Sequence, residues 1–151
     1  MPTEEVASVE GTRVIPSYEF VSVRVGSEVV HRIRVTGPIN LERRLPLYAA
    51  TLAVNPSSRY FCILDNREGF ENDLTYADIK QLDQLLVDAG IECFYGVTVT
   101  SDKAYQQIVE IANVNVGVVG LGGELLSVTD MQVAEEFIAD KLRQAIEEDA
   151  Q

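Results

Sequence analysis

"YFCILDNREGFENDLTYADIKQLDQLLVDAGIECFYGVTVT", residues 60–100, changes its hydrophobic period twice. Tyr60–Leu64 is a short, continuously apolar run, the pattern of a strand buried on both faces. After Thr75 the period is helical: Ile79, Leu82, Leu85 and Leu86 share one face, and Gly90 suits a C-terminal cap. "IECFYGVTVT" reads as a strand again. Strand, helix and strand in succession imply a parallel crossover, so this stretch sets the fold class as α/β.

Upstream, "YEFVSVRV", "GS" and "EVVHRIRVTG" read as two strands joined by a two-residue turn, with Gly26 supplying the positive φ of a type II′ hairpin. His31 falls in register with Ile33 and Val35, which favours a structural role over a catalytic one. "LERRLPLYAATLAVN" places Leu41, Leu45, Tyr48 and Leu52 at helical spacing, with Pro46 in the first turns. Downstream, "SDKAYQQIVEIAN" reads as a helix started by Thr100 or Ser101, "VNVGVVG" as a strand, and "LGGELLSV" as a loop or short edge strand. "TDMQVAEEFIADKLRQAIEE" reads as a last helix with Val133, Phe137, Ile138, Leu142 and Ile146 inward. The architecture expected is an N-terminal β-hairpin followed by β/α units, a mostly parallel sheet of four or five strands flanked by about four helices. Residues 1–11 are acidic and aperiodic and are expected to form a disordered tail, leaving 12–151 as a single domain.

The 151 residues carry 24 acidic and 12 basic side chains, a formal charge of −12. Phosphate backbones and anionic lipid surfaces would repel such a chain, so neither nucleic acid nor membrane is expected as a partner. Cys62 and Cys93 lie inside apolar runs and read as free, buried thiols. With one histidine and no CxxC there is no zinc pattern. The N-terminal segment has no basic n-region followed by an apolar stretch, so a cytoplasmic location is expected.

Between strand and helix, residues 65–75 gather Asp65, Asn66, Arg67, Glu68, Glu71, Asn72, Asp73 and Thr75. Open α/β sheets collect functional groups at such carboxyl ends of strands. An EF-hand is excluded, because the sixth residue from Asp65 is Phe70 and the twelfth is Tyr76. A looser magnesium site on Asp65 with Glu68 or Asp73 stays open, as does a solvated loop whose Arg67 offsets its acids. No Gly-x-Ser-x-Gly elbow is present, and the only histidine is remote in sequence. "GVVGLGGE" at 117–124 matches neither a P-loop nor GxGxxG, and turns that need positive φ explain its glycines. "TYAD" fits a helix-capping box at Thr75.

The element order, "RVTGPIN" before the first helix, "CILDNREGF…L" before the second and the closing "LLSVTDMQVAEEFI" together resemble the STAS domains, the family of the anti-sigma factor antagonists, over roughly residues 17–145. In that family an apolar strand ending in Asp leads to a D-S-x-G-L helix start that bears a regulatory phosphoserine. By that resemblance Asp65 matches the strand-ending Asp and Asp73 the Asp before the acceptor. Leu74 stands in the acceptor's place and Tyr76 in the glycine's, and Thr75 is the nearest hydroxyl, one position late. The resemblance implies a bacterial, non-enzymatic regulatory domain with no cofactor. It would bind a partner protein through Asp65, Asn66, Arg67, Glu68, Asp73 and Thr75 and the exposed face of the second helix.

Two other readings stay open. One is a small-molecule or nucleotide site at the strand ends, on Asp65, Thr100, Gly120, Gly122 and Gly123. The other is an enzyme that uses Asp65 or Glu68. The hairpin's alternation also leaves an edge that must be covered, which makes a homodimer through it a candidate.

Overall fold

Two short strands, β1 (Ala7–Ser8) and β2 (Arg13–Ile15), precede the hairpin of β3 (Tyr18–Val25) and β4 (Glu28–Val35) in the computed structural model, which describes residues 7–8 and 11–150. Gly26 turns the hairpin at φ 63° and leaves Val25 opposite Glu28, as the Gly-Ser dipeptide requires. Then follow α1 (Leu41–Val54), β5 (Arg59–Asp65), α2 (Tyr76–Asp88), β6 (Cys93–Val99), α3 (Lys103–Val118), β7 (Gly122–Val128) and α4 (Met131–Asp149). The sheet runs β1-β3-β4-β5-β6-β7, with β2 also on β3; β4 to β7 are parallel and the hairpin is antiparallel. The strands β3 to β6 and the four helices are those expected, and β7 stands where the sequence suggests a loop or short edge strand. Of the tail read at 1–11, residues 1–6 and 9–10 lie outside the described residues, while Ala7–Ser8 pair with Arg24 and Val23.

From β4 to β7 the strand order advances in one direction. Right-handed crossovers then put α1, α2 and α3 on one face of the sheet, and α4, which links no parallel strands, covers the other. Side-chain alternation serves both layers. Tyr18, Phe20, Ile33, Tyr60, Cys62 and Leu64 pack with Leu47, Tyr48, Leu82 and Leu86. Val30, Phe61, Ile63, Val97 and Val99 pack with Ala134, Ile138 and Leu142. β5 is therefore apolar at successive positions because each of its faces meets a core.

Five readings are corrected. "VNVGVVG" is not a strand: α3 continues through Val118. Its Val114, Val116, Val118 alternation mimics a strand, yet only Val116 is buried, with Val114 and Val118 each 69% exposed on the helix's outer side. The helix is stopped by Gly120 at φ 89°, with Leu121 N–H on Val116 C=O and Gly120 N–H on Gly117 C=O, a Schellman motif. α3 is capped by Asp102, not by Thr100 or Ser101. The buried face of α1 is Arg44, Leu47, Tyr48 and Thr51, one step round from the leucine stripe. In α4, Ala134 and Ala145 face the sheet, so Val133 and Ile146 lie 44% and 43% exposed. The hairpin edge that made a dimer attractive is covered by β1 and β2, which both pair with β3, and β7 ends the sheet on the other side among the described residues.

Candidate functional site

The junction between β5 and α2 is a pinned loop. Asn66 is buried, and its side chain closes the loop on itself: Nδ2 donates to Phe70 C=O at 2.9 Å, and Oδ1 accepts Phe70 N–H at 3.0 Å. The Asn66 N–H donates to Val99 C=O on β6 at 2.8 Å. Further on, Ile39 N–H donates to Glu71 C=O and Asp73 N–H to Ile39 C=O, a one-residue parallel bridge between Ile39 and Asn72. Leu74 turns into the core. The loop is thus fixed at both ends while Arg67, Glu68, Glu71, Asp73 and Thr75 face solvent.

Its charges are partly paired. Asp65 accepts from the Arg67 backbone N–H at 3.1 Å and from its guanidinium at 2.9 and 2.8 Å, which holds the carboxyl below its usual range. Glu68 takes Arg34 Nη1 at 2.8 Å. Asp65 and Glu68 are therefore each held by a different arginine. Among the described residues no group of three or more His, Cys, Asp or Glu side chains is placed to hold a metal. Among the described residues the side chains of Glu71 and Asp73 are exposed and have no partner.

Thr75 forms the capping box that its sequence spells. Its Oγ1 accepts Asp78 N–H at 3.1 Å and Asp78 Oδ2 accepts Thr75 N–H at 3.0 Å, satisfying two orphan donors of α2. The hydroxyl remains exposed, whereas Leu74, in the place of the family's phosphoacceptor, is buried.

The alternative set at the strand ends does not assemble. Thr100 follows β6 near Asp65, but it is buried, with its Oγ1 accepting Asp102 N–H at 3.2 Å. Gly122 and Gly123 pair with Cys93 and Phe94 at the start of β6, whereas Asp65 pairs with Val99 at its end. Six residues of strand separate the two groups, about 20 Å. Gly120 belongs to the α3 cap.

His31 is structural. It is buried and stacks on Tyr60 at 4.7 Å. Asn55 Nδ2 donates to the Ser57 and Arg59 carbonyls, so its Oδ1 faces His31; Nε2 therefore carries the proton, and Nδ1 accepts from the Ser22 hydroxyl at 2.8 Å. Burial lowers its pKa to about 4, against the raising effect of the Asn55 bond, so the ring stays neutral. Cys62 and Cys93 are free, and burial pushes the Cys62 thiol up to about 12, so Cys62 is no nucleophile.

Polar groups inside the helical layer were not legible. Arg44 on α1 and Asp83 on α2 are both buried, and Asn115 Nδ2 donates to Asp83 Oδ2 at 2.7 Å, tying α2 to α3. Burial raises the Asp83 pKa to about 6, against the lowering effect of Asn115. Because the folded pKa lies above the unfolded value, Asp83 favours folding fully below about pH 4, and that contribution is lost as pH rises through about 6. Asp83→Asn is expected to gain about 1–2 kcal/mol of stability at pH 8 relative to its effect at pH 4, read from urea unfolding at both pH values. A difference independent of pH would remove the assignment.

A single sheet led by an antiparallel hairpin, with three crossover helices on one face and α4 on the other, is a SpoIIAA-like fold, the fold of the anti-sigma factor antagonists. A solved structure with this fold is an uncharacterized protein of the DUF3478 family, with a SpoIIAA-like fold, from Shewanella loihica PV-4. It is 15% identical, with a TM-score of 0.50, and the match covers 88% of this chain and 93% of that one. No family model matches the chain, and no curated protein matches it. Among the described residues no helix is long and apolar enough to cross a membrane.

Proposed function

We propose that this chain is a non-enzymatic regulatory domain that binds a partner protein through the junction 65–75 and the neighbouring exposed face of α2. The observation that carries the reading is the pinned loop: clamped by Asn66 and bridged to Ile39, it presents Glu68, Glu71 and Asp73 in a fixed arrangement. A surface ordered in advance loses little entropy on association. Its unpaired carboxylates select a partner with a basic patch. Thr75 is the point of control, since a phosphate on its exposed hydroxyl would add up to about two negative charges at this rim. The SpoIIAA-like fold is compatible with this role, and neither His31 nor Cys62 supplies a base or nucleophile at the loop.

The test uses Glu71→Lys combined with Asp73→Lys, side chains that hold nothing in the fold, and Glu92→Lys at the opposite end of the sheet as control. Affinity capture from a lysate of the source organism is expected to recover one partner with wild type and Glu92→Lys, and at least tenfold less with the double variant. Equal recovery by all three would contradict the assigned surface.

A further inference from the structure

Arg44 is 9% exposed, and its Nε donates to the Tyr18 hydroxyl at 2.9 Å. Its Nη2 is fully buried and has no hydrogen-bond partner among the described residues. The ion pairs of the described residues run through Arg32, Arg34, Arg59, Arg67, Lys141 and Arg143, and none reaches Arg44. A guanidinium does not shed its proton, so the core holds a permanent cation with an unused donor. The guanidinium lies over the Tyr18 ring, with Cζ 5.6 Å from the ring centroid, and beside the Tyr48 and Tyr105 hydroxyls, yet among the described residues no carboxylate pairs with it, and a buried charge without a counterion is costly.

That cation borders a cavity of about 80 Å³ between the sheet and α1, α2 and α3. Asp83 lines the same cavity and is 3% exposed; its Oδ2 accepts from Asn115, and among the described residues Oδ1 accepts no hydrogen bond. Leu47, Leu64, Phe94 and Val109 make most of the remaining wall apolar. The space takes a few waters or one very small organic molecule.

We propose that this cavity is a binding site for a small carboxylate that also bears a hydroxyl or amino group, of the size of glycolate or glycine. The carboxylate neutralises Arg44 through its planar fork, and the donor at the other end meets the free oxygen of Asp83. One molecule of this class supplies Arg44 with the counterion that water does not and offers Asp83 a donor. The site is independent of the junction 65–75, and it moves the small-molecule reading from the strand ends into the core.

The test is thermal unfolding at pH 7.5 of protein first refolded from urea, to strip any carried ligand, with sodium acetate, glycolate, glycine, ethylene glycol or chloride added. Glycolate or glycine is expected to raise Tm by about 5 °C at a hundredfold excess over Kd, acetate by less, and ethylene glycol and chloride not at all. Arg44→Met combined with Tyr18→Phe removes the cation and its hydrogen-bond partner together and so is expected to fold, and to show no response. Asp83→Asn is expected to bring acetate and glycolate closer together. The proposal is overturned if no carboxylate shifts wild type, if chloride acts as glycolate does, or if the double variant responds like wild type.

Discussion

Gly123→Ala is expected to lower stability by more than about 4 kcal/mol, enough to leave much of the protein unfolded or β7 detached. Gly123 has φ 108°, and a Cβ there would stand 2.1 Å from Phe94 O and 2.7 Å from Phe94 C and N. These are backbone atoms of the paired strand, so no side-chain rotation relieves the overlap. β7 would have to move off β6, giving up its ladder and the contacts of Leu125 and Leu126 with the two cores. Gly69, at φ 84° with nothing within 4 Å of a built Cβ, is the control, and its alanine variant should lose only about 1 kcal/mol. Urea unfolding of the two variants checks the contrast. Comparable losses would mean that the register at Gly123 is not as described.

Asn66→Ala is expected to cost about 2–3 kcal/mol and to release the loop 66–74. The substitution removes both bonds to Phe70, leaving its half-buried N–H and C=O without their partner. Asn66→Asp does not rescue it, because one carboxylate oxygen would then oppose the Phe70 carbonyl. Hydrogen exchange at the Phe70 amide should accelerate by at least tenfold in both variants while β5 and β6 amides change little. If the loop is the binding surface, partner affinity should fall along with this local protection. Unchanged exchange at Phe70 would show that something other than Asn66 holds the junction.

What was legible depended on whether a residue's type and its environment agree. Gly26 marks its hairpin because only a positive φ closes a two-residue loop there, and Thr75 with Asp78 spells its own cap. Tyr60–Leu64 reads as a doubly buried strand because both faces do meet cores. Val114, Val116 and Val118 misled because their alternation is strand-like while two of the three merely face solvent on a helix. That error also placed Gly120–Gly123 at a strand's carboxyl end and so grouped them with Asp65, from which the sheet separates them. Asn66 looked like one more polar loop residue, and only the fold shows that its amide is consumed by Phe70. Arg44 and Asp83 could not be read at all. Charged residues on an amphipathic helix are expected outside, and the leucines Leu41, Leu45 and Leu52 that suggest the phase of α1 are only half-buried.

The central claim, that the pinned acidic loop meets a protein, is tested most directly by placing a photo-reactive amino acid at position 71 and, separately, at position 92. Irradiation in the source organism is expected to give one discrete adduct from position 71 and none from position 92, with the adduct at 71 abolished by Asn66→Ala. Adducts of equal yield from both positions, or from 92 alone, would contradict the assignment of this junction as the binding surface.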